Sequence, residues 1–293
     1  MKYMSIRPVK RIVTSQPTME GAGVHLRRGF GFGNTTETDP FLLFDDFRND
    51  VPANYVAGFP WHPHRGIETI TYVLAGTVEH GDSLGNLGTL GAGDVQWMTA
   101  GSGIVHQEMP RGDEAGRMHG FQLWGNLPAR LKMTAPRYQD VKAADVPVIT
   151  DDDGTSVRLV CGSFWGKSGP VEGIAADPVY IDVSVPAGKR RTLPVETTRH
   201  AFAYVFAGSG KFGNASEPGP VATDGVAAAN HSMVLFDRGD EVTVEAGPEG
   251  MRFLLVSGKP LGEPVAWHGP IVMNTQEELR QAFAELQRGT FLK

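Results

Sequence analysis

The chain has a single cysteine among its 293 residues, which excludes an internal disulfide. This residue, Cys161, follows the apolar residues Leu159 and Val160. We expect a buried thiol there, because a reactive thiol needs an exposed, electropositive setting. Long hydrophobic runs are also missing: no stretch approaches the roughly 18 apolar residues that span a membrane. The N-terminus has basic residues but no apolar segment after them, so we expect a cytoplasmic protein with no membrane association.

The chain also lacks an excess of positive charge. Its 33 acidic and 27 basic residues give a formal net charge of −6. Nucleic-acid affinity depends on Lys and Arg side chains that release counterions from phosphates, so we expect no direct nucleic-acid binding. The hydrophobic fraction of 41% is sufficient for real cores, and the length fits two domains.

Helix patterns are scarce. The 37 glycines and 20 prolines separate short runs rich in Val, Ile, Thr, Phe and Tyr, which is typical of many short antiparallel strands. The exception is C-terminal, where residues 275–278 have the form of a capping box and Leu279, Phe283 and Leu286 follow at helical spacing. The sequence therefore predicts an all-β fold with one closing amphipathic helix that ends near Gly289.

A short repeat suggests two related barrels. Residues 72–76 (Tyr-Val-Leu-Ala-Gly) recur as residues 204–208 (Tyr-Val-Phe-Ala-Gly), at an offset of 132 residues. Chance similarity between apolar strand ends is the alternative. The polar, turn-forming residues 144–154 place the boundary. The predicted domains are residues 1–145 and residues 146–293, with the closing helix in the second.

The clearest candidate site consists of two short motifs. His62 and His64 alternate in a segment that Pro63 keeps extended, so both side chains point to one face. His106 and Glu108 repeat this spacing after a glycine-rich approach. On neighbouring strands, three imidazoles and a carboxylate would converge, a set that suits iron, manganese, cobalt, nickel, copper or zinc. A surface or hydrogen-bonded histidine is the alternative for each residue alone, but the paired motifs favour a metal site.

Six further residues lie near these motifs. His119, Arg65 and Glu68 are candidates for side chains that support the ligands, although an exposed histidine or a surface ion pair would give the same pattern. We interpret His80 as a loop residue near the barrel mouth. Two aromatic residues would line the entrance or pack in the core: Phe59 and Trp61.

The segments that contain these residues resemble the pirin family of the cupin superfamily. Residues 62–69, 93–101 and 106–110 match its pattern closely, and the likeness continues through residues 121–128, 132–139 and 269–275. The resemblance implies a bicupin, that is, two β-barrel domains of the jelly-roll (double-stranded β-helix) type. It also implies one metal ion in the N-terminal barrel, usually Fe(II), on His62, His64, His106 and Glu108. The other divalent transition metals remain open.

The resemblance further implies that the C-terminal barrel has no metal. The 132-residue offset puts Pro194 and Glu196 at the positions of His62 and His64. His200 and His231 are then expected to be structural residues.

The function that the resemblance implies is that of a quercetin 2,3-dioxygenase, which opens the flavonol heterocycle with O2 and releases carbon monoxide. Glu108 would act there as the catalytic base for the flavonol 3-hydroxyl, or only as a permanent ligand. The competing function is a non-enzymatic, iron-binding regulatory protein that acts through protein partners, and a metal-free small-molecule binder is a third. Intact ligands with an accessible approach favour the enzyme.

Overall fold

The structure is a computed structural model that describes residues 4–33, 35–213 and 225–293. The chain forms two compact units, each built from two segments. Unit 1 consists of Met1–Ser15 and Val146–Pro260, and unit 2 consists of Gln16–Asp145 and Leu261–Lys293. This division differs from the predicted domains 1–145 and 146–293 at both ends of the chain. The reason is physical: the first strand pairs within unit 1, and the C-terminal helix packs within unit 2.

Unit 1 is an antiparallel β-structure. Numbered along the whole chain, its strands are β1 (Val9–Thr14), β13 (Val148–Thr150), β14 (Ser156–Cys161), β15 (Ser163–Phe164), β16 (Lys167–Ser168), β17 (Val179–Val185), β18 (Arg190–Pro194), β19 (His200–Phe212), β20 (Val226–Ala229), β21 (Ser232–Phe236) and β22 (Glu241–Gly258). Nine of them form one sheet in the order β1-β21-β19-β22-β17-β14-β13, with β18 paired to β22 and β20 paired to β19. Its side chains form a cluster of buried apolar residues that includes Ile181, Val205 and Phe253.

Unit 2 contains two larger antiparallel sheets. Its strands are β2 (Gln16–Glu20), β3 (Val24–Phe30), β4 (Phe41–Asp46), β5 (Phe59–His64), β6 (Ile67–Ala75), β7 (Thr77–Asp82), β8 (Leu87–Leu90), β9 (Val95–Thr99), β10 (Ile104–Arg111), β11 (His119–Asn126), β12 (Arg137–Val141), β23 (Ala266–His268) and β24 (Ile271–Met273). A seven-stranded sheet has the order β12-β9-β6-β11-β4-β3-β2, and a four-stranded sheet has the order β5-β10-β7-β8. Buried residues from both sheets, such as Leu26, Val73 and Val78, share one apolar cluster, so the sheets enclose a common interior.

The helix α1 runs from Gln276 to Gln287. Thr275 and Glu278 form the predicted capping box at its N-terminus, which confirms that expectation. Leu279 is buried, and its neighbours Phe283 and Leu286 pack on the same apolar cluster as the hairpin β23–β24. Three short 3-10 helices complete the elements: Pro52–Asn54, Ala129–Leu131 and Ala143–Asp145. No helix within the described ranges is long and apolar enough to cross a membrane.

Candidate metal centre

The two predicted motifs lie on adjacent strands. His62 and His64 are on β5, His106 and Glu108 are on β10, and His106 stands opposite His62 in the antiparallel register. Alternate residues of a strand point to the same face, and on β10 the residues Ile104, His106 and Glu108 are buried in alternation. A register shift after His106 pairs Glu108 with Phe59.

The three imidazole rings converge at one point. Their ring centroids are 4.8 Å apart for His62 and His64, 4.4 Å for His62 and His106, and 5.1 Å for His64 and His106. One nitrogen of each ring lies within 4.8 Å of the others. His64 and His106 are each 2% exposed, whereas His62 is half-buried. The part of the chain that the structure describes contains no other such cluster of His, Cys, Asp or Glu side chains.

The hydrogen bonds around the rings fit a cation at this point. Nδ1 of His62 lies 2.8 Å from the carbonyl oxygen of Pro60, and Nδ1 of His64 lies 3.2 Å from that of Pro270. A carbonyl oxygen only accepts, so both Nδ1 atoms carry the proton and both Nε2 atoms present lone pairs. These two Nε2 atoms are 3.1 Å apart. A divalent metal ion between the rings would relieve this close approach.

His106 supplies a further observation in favour of a metal. Its Nε2 atom is buried and has no hydrogen-bond partner within the described ranges. A buried polar atom without a partner costs free energy unless a ligand satisfies it. The three histidines therefore form a cluster that can hold a metal ion, and their neutral imidazoles are the form that binds first-row divalent metals.

Burial keeps the rings of His64 and His106 neutral. It lowers the pKa of His64 well below its usual range, and the neighbouring His106 and His62 act in the same direction. Burial also lowers the pKa of His106 to about 4, although the Glu108 carboxylate opposes this. Metal ions bind the unprotonated imidazole, so the environment prepares both rings for coordination at neutral pH.

The carboxylate of Glu108 lies outside the 4.8 Å histidine cluster. Thr71 Oγ1 donates to its Oε1 at 3.2 Å, and Gln122 Nε2 donates to both carboxylate oxygens at 3.2 Å. Gln122 is fixed in turn by Trp124, whose Nε1 donates to Gln122 Oε1 at 3.2 Å. Glu108 is thus held beside the histidines by side chains of the seven-stranded sheet.

A cavity of about 420 Å³ opens beside this cluster within unit 2. His62, His64 and Glu108 form part of its wall, and apolar side chains such as Leu43 and Phe59 form much of the rest. Its volume lies in the range of sites for small organic ligands. Phe59 therefore lines the cavity, as expected, whereas the side chain of Trp61 is 54% exposed.

Two further histidines, His119 and His80, lie outside the cluster. His119 Nε2 contacts Asp50 Oδ1 at 2.6 Å. His80 was predicted in a loop, but it lies on β7, where it hydrogen-bonds Gln96. The strand continues through it because β7 pairs with both β8 and β10, an arrangement that the glycine and aspartate after His80 do not reveal.

Arg65 and Glu68 are both buried. Arg65 pairs with Glu285 at 2.8 Å, and it is 2% exposed, so the alternative of a plain surface ion pair is excluded. Glu68 Oε1 accepts a hydrogen bond from Thr99 Oγ1 at 2.7 Å. Arg65 thus joins the residue after His64 to helix α1, and Glu68 joins β6 to β9.

Among the described residues of unit 1, no imidazoles cluster at the positions that correspond to His62 and His64. Pro194 ends β18, and the exposed Glu196 pairs with Arg199. His231 lies at a turn with Nδ1 3.4 Å from Tyr204 Oη, and His200 begins β19. Cys161 is buried, as expected.

Several site residues were not singled out from the sequence. Gln122 and Thr71 hold Glu108, and Pro270 orients His64 across 206 residues of chain. For Gln122 the available signal was a single polar residue within the apolar residues 121–124. For the Pro270 carbonyl the sequence offers no signal.

Comparison with known proteins agrees with this architecture. Residues 23–125 match the pirin family, and residues 180–292 match the pirin C-terminal cupin domain. A pirin-like protein of Caulobacter vibrioides is 49% identical over 289 residues, which cover 98% of this chain and 100% of that one. A pirin-like protein of Solanum lycopersicum is 39% identical over 284 residues, covering 97% and 92%.

A solved structure extends the comparison to the whole fold. The crystal structure of quercetin 2,3-dioxygenase from Acinetobacter baumannii matches with a TM-score of 0.87 and 30% identity, and the match covers 98% of each chain. The predicted all-β, two-domain cupin fold with one helix within the described ranges is thereby confirmed. From the family matches and the extent of these identities, we conclude that the chain belongs to the pirin family.

Proposed function

We propose that this protein is a metal-dependent dioxygenase of the quercetin 2,3-dioxygenase type, with Fe(II) as its metal. The observation that carries the proposal is the convergence of three imidazoles beside a 420 Å³ cavity: His62 and His64 line the cavity, and His106 has a buried Nε2 without a partner within the described ranges. A flavonol and O2 would react there to give the ring-opened ester and carbon monoxide. The Acinetobacter structure of that name supports the same assignment.

His62, His64 and His106 would hold the metal through Nε2, with Glu108 as the fourth ligand. The carbonyl oxygens of Pro60 and Pro270 fix the ring orientation of the first two histidines. When bound, a divalent metal supplies Lewis acidity and open coordination positions for the substrate oxygen and O2.

Glu108 would also be the catalytic base. Its carboxylate faces the cavity that would hold the flavonol, so it can take the proton of the 3-hydroxyl group. Gln122 and Thr71 donate hydrogen bonds to the carboxylate and hold it in place. The apolar walls exclude water from the reaction and favour the close approach of the two reactants.

The test is anaerobic loading of the apoprotein with Fe(II), followed by oxygen uptake in the presence of quercetin. We expect uptake by the wild type, with loss of at least about 100-fold in His62→Ala and Glu108→Ala. His119→Ala and Glu114→Ala are the matched controls, because these residues lie outside the cavity wall. Parallel loading with Mn(II), Co(II), Ni(II), Cu(II) and Zn(II) tests the choice of metal.

Two results would contradict the dioxygenase. Tight Fe(II) binding without oxygen uptake would favour the regulatory function through protein partners. Equal oxygen uptake by wild type and His62→Ala would show that turnover does not depend on the histidine cluster.

A further inference from the structure

A row of polar side chains crosses the cavity wall of the seven-stranded sheet. Thr71 on β6 stands opposite Gln122 on β11, Gln122 stands opposite Asp45 on β4, and Asp45 stands opposite Arg28 on β3. Residues directly opposite one another in a sheet point to the same face. All four side chains line the cavity, so the row is a continuous polar strip on an otherwise largely apolar surface.

The strip begins at the candidate metal centre and leads away from it. At one end, Thr71 and Gln122 donate to the Glu108 carboxylate. Adjacent strands are about 4.8 Å apart, so Arg28 lies two strand spacings, or about 10 Å, beyond Gln122. The cavity therefore has two polar ends, one at the histidine cluster and one at Asp45 and Arg28.

The second end is a group of three charges around the buried carboxylate of Asp45. Arg28 Nε and Nη2 donate to the two oxygens of Asp45 at 2.8 and 2.7 Å, and Nη1 contacts Glu20 Oε1 at 2.8 Å. Asp45 is 5% exposed. Two carboxylates and one guanidinium leave a net negative charge, and each Asp45 oxygen keeps a second lone pair that can accept a hydrogen bond.

Burial raises the pKa of the Asp45 carboxyl to about 6, although the hydrogen bonds from Arg28 oppose this shift. At neutral pH the group is therefore mainly an acceptor. A hydroxyl group of a ligand would be a matching donor, whereas an anionic group would meet repulsion from Asp45 and Glu20.

We propose that Asp45, positioned by Arg28, is the specificity residue that recognises a second hydroxyl group on the substrate, remote from the oxygen atoms that face the histidines. The inference rests on the proposed function and narrows its substrate class to uncharged polyhydroxylated aromatic compounds. The buried ion pair would otherwise serve only to join β3 to β4, a role that apolar side chains also fulfil.

The test is a binding titration on protein loaded with Zn(II), which has no redox chemistry, so that no turnover occurs. Three probes are compared by fluorescence: 3-hydroxyflavone, 3,4′-dihydroxyflavone and 3,7-dihydroxyflavone. For the wild type we expect at least one added hydroxyl to tighten binding roughly tenfold, as for a hydrogen bond to a charged acceptor. The position of the effective hydroxyl shows which ring reaches Asp45.

The informative variant is the double substitution Arg28→Met with Asp45→Leu. Replacing both partners of the Arg28–Asp45 pair by apolar groups leaves no unpaired charge in the cavity wall except Glu20, whose side chain is 40% exposed, so the protein is expected to fold. We expect this variant to bind 3-hydroxyflavone within about twofold of wild type and to lose the preference for the added hydroxyl. Asp45→Asn should retain part of it, and Asp113→Asn, outside the cavity wall, all of it.

The outcomes separate this inference from the proposed function. If the wild type binds all three probes with equal affinity, or if the preference survives the double substitution, the proposed role of Asp45 is overturned. The proposed dioxygenase function is not affected by either result. A preference that depends on Asp45, with no oxygen uptake by the Fe(II) form, would support the subsite and contradict the dioxygenase. Failure of every flavonol to bind would overturn both.

Discussion

The two units have different interiors. In unit 1, a large cluster of buried apolar residues packs on the nine-stranded sheet and includes Phe212, Val205 and Phe253. In unit 2, the buried apolar residues are divided among separate clusters, with the cavity and the clustered histidines among them. A ligand site needs a cavity and fixed polar groups, whereas a barrel with only a structural role is filled by packed side chains.

Unit 2 secures its strands with buried charges. Lys132 Nζ donates to the carbonyl oxygens of Gly66 and Val272 at 2.7 and 2.9 Å and to Asn126 Oδ1 at 2.5 Å. These bonds join the loop after His64 to β24 and to the end of β11. Gly66 itself has φ of +78°, and an added Cβ would meet the Val272 carbonyl oxygen. Hydrogen bonds from the buried Lys132 side chain thus hold together strands of unit 2, whereas apolar packing holds those of unit 1.

The largest expected loss of stability comes from a substitution that creates a cavity in the packed interior of unit 1. Phe253→Ala removes a fully buried ring from the apolar cluster of unit 1 and should lower the free energy of unfolding by about 4 kcal/mol. Phe59→Ala only enlarges a cavity that already exists and should cost about 1 kcal/mol. Urea unfolding followed by circular dichroism measures both. Equal losses would contradict the difference between the two interiors.

The next effect tests the buried cation of unit 2. Lys132→Met removes three hydrogen bonds and leaves buried acceptors without a donor, so we expect the free energy of unfolding to fall by about 3 kcal/mol. The matched control is Lys142→Met, because Lys142 is exposed and its pair with Asp94 should contribute less than about 1 kcal/mol. A change of similar size in both variants, measured by the same unfolding assay, would argue against a special role for Lys132.

The smallest effect depends on pH. The hydrogen bond from Lys293, with those from Gln281 and Arg65, lowers the pKa of Glu285 from 4.5 to about 2. The unfolded state therefore binds a proton first, and the stability from this group is present above pH 4.5 and lost as pH falls toward about 2. Glu285→Gln should flatten this part of the acid unfolding profile.

The exposed pair of Glu277 and Arg280 on the same helix provides the control for that experiment. Glu277→Gln should leave the acid profile close to that of the wild type, because an exposed pair contributes little. An unchanged slope in Glu285→Gln, measured by thermal unfolding between pH 2 and pH 5, would rule out the role of Arg65 and Lys293 in setting this pKa.

Much of the fold followed from local patterns. The turn residues predicted the short strands, and the capping box of Thr275 and Glu278 predicted the helix. The helix was assigned to the predicted domain of residues 146–293, and in the structure its apolar face packs near Ile271 and Met273, in the unit that also contains residues 16–145. Local spacing determines that a helix forms, whereas its packing partner depends on contacts far along the chain.

The candidate site was partly predictable for the same reason. The alternating spacing of a strand predicted His62, His64 and His106 as site residues. The register of β5 and β10 brings them close together. Arg28 and Asp45 were not predicted as site residues. They are brought together only by the register of β3 and β4. Such long-range pairings carry no signature in a single sequence.

The most direct test of the central claim is the stoichiometry of Fe(II) binding, measured by anaerobic equilibrium dialysis with metal analysis. We expect one ion per chain in wild type, loss of binding in His106→Ala, and retention in His231→Asn, since His231 belongs to unit 1 and asparagine tolerates its φ of +71°. Retention of the ion in His106→Ala, or loss of it in His231→Asn, would contradict a metal centre on the clustered histidines.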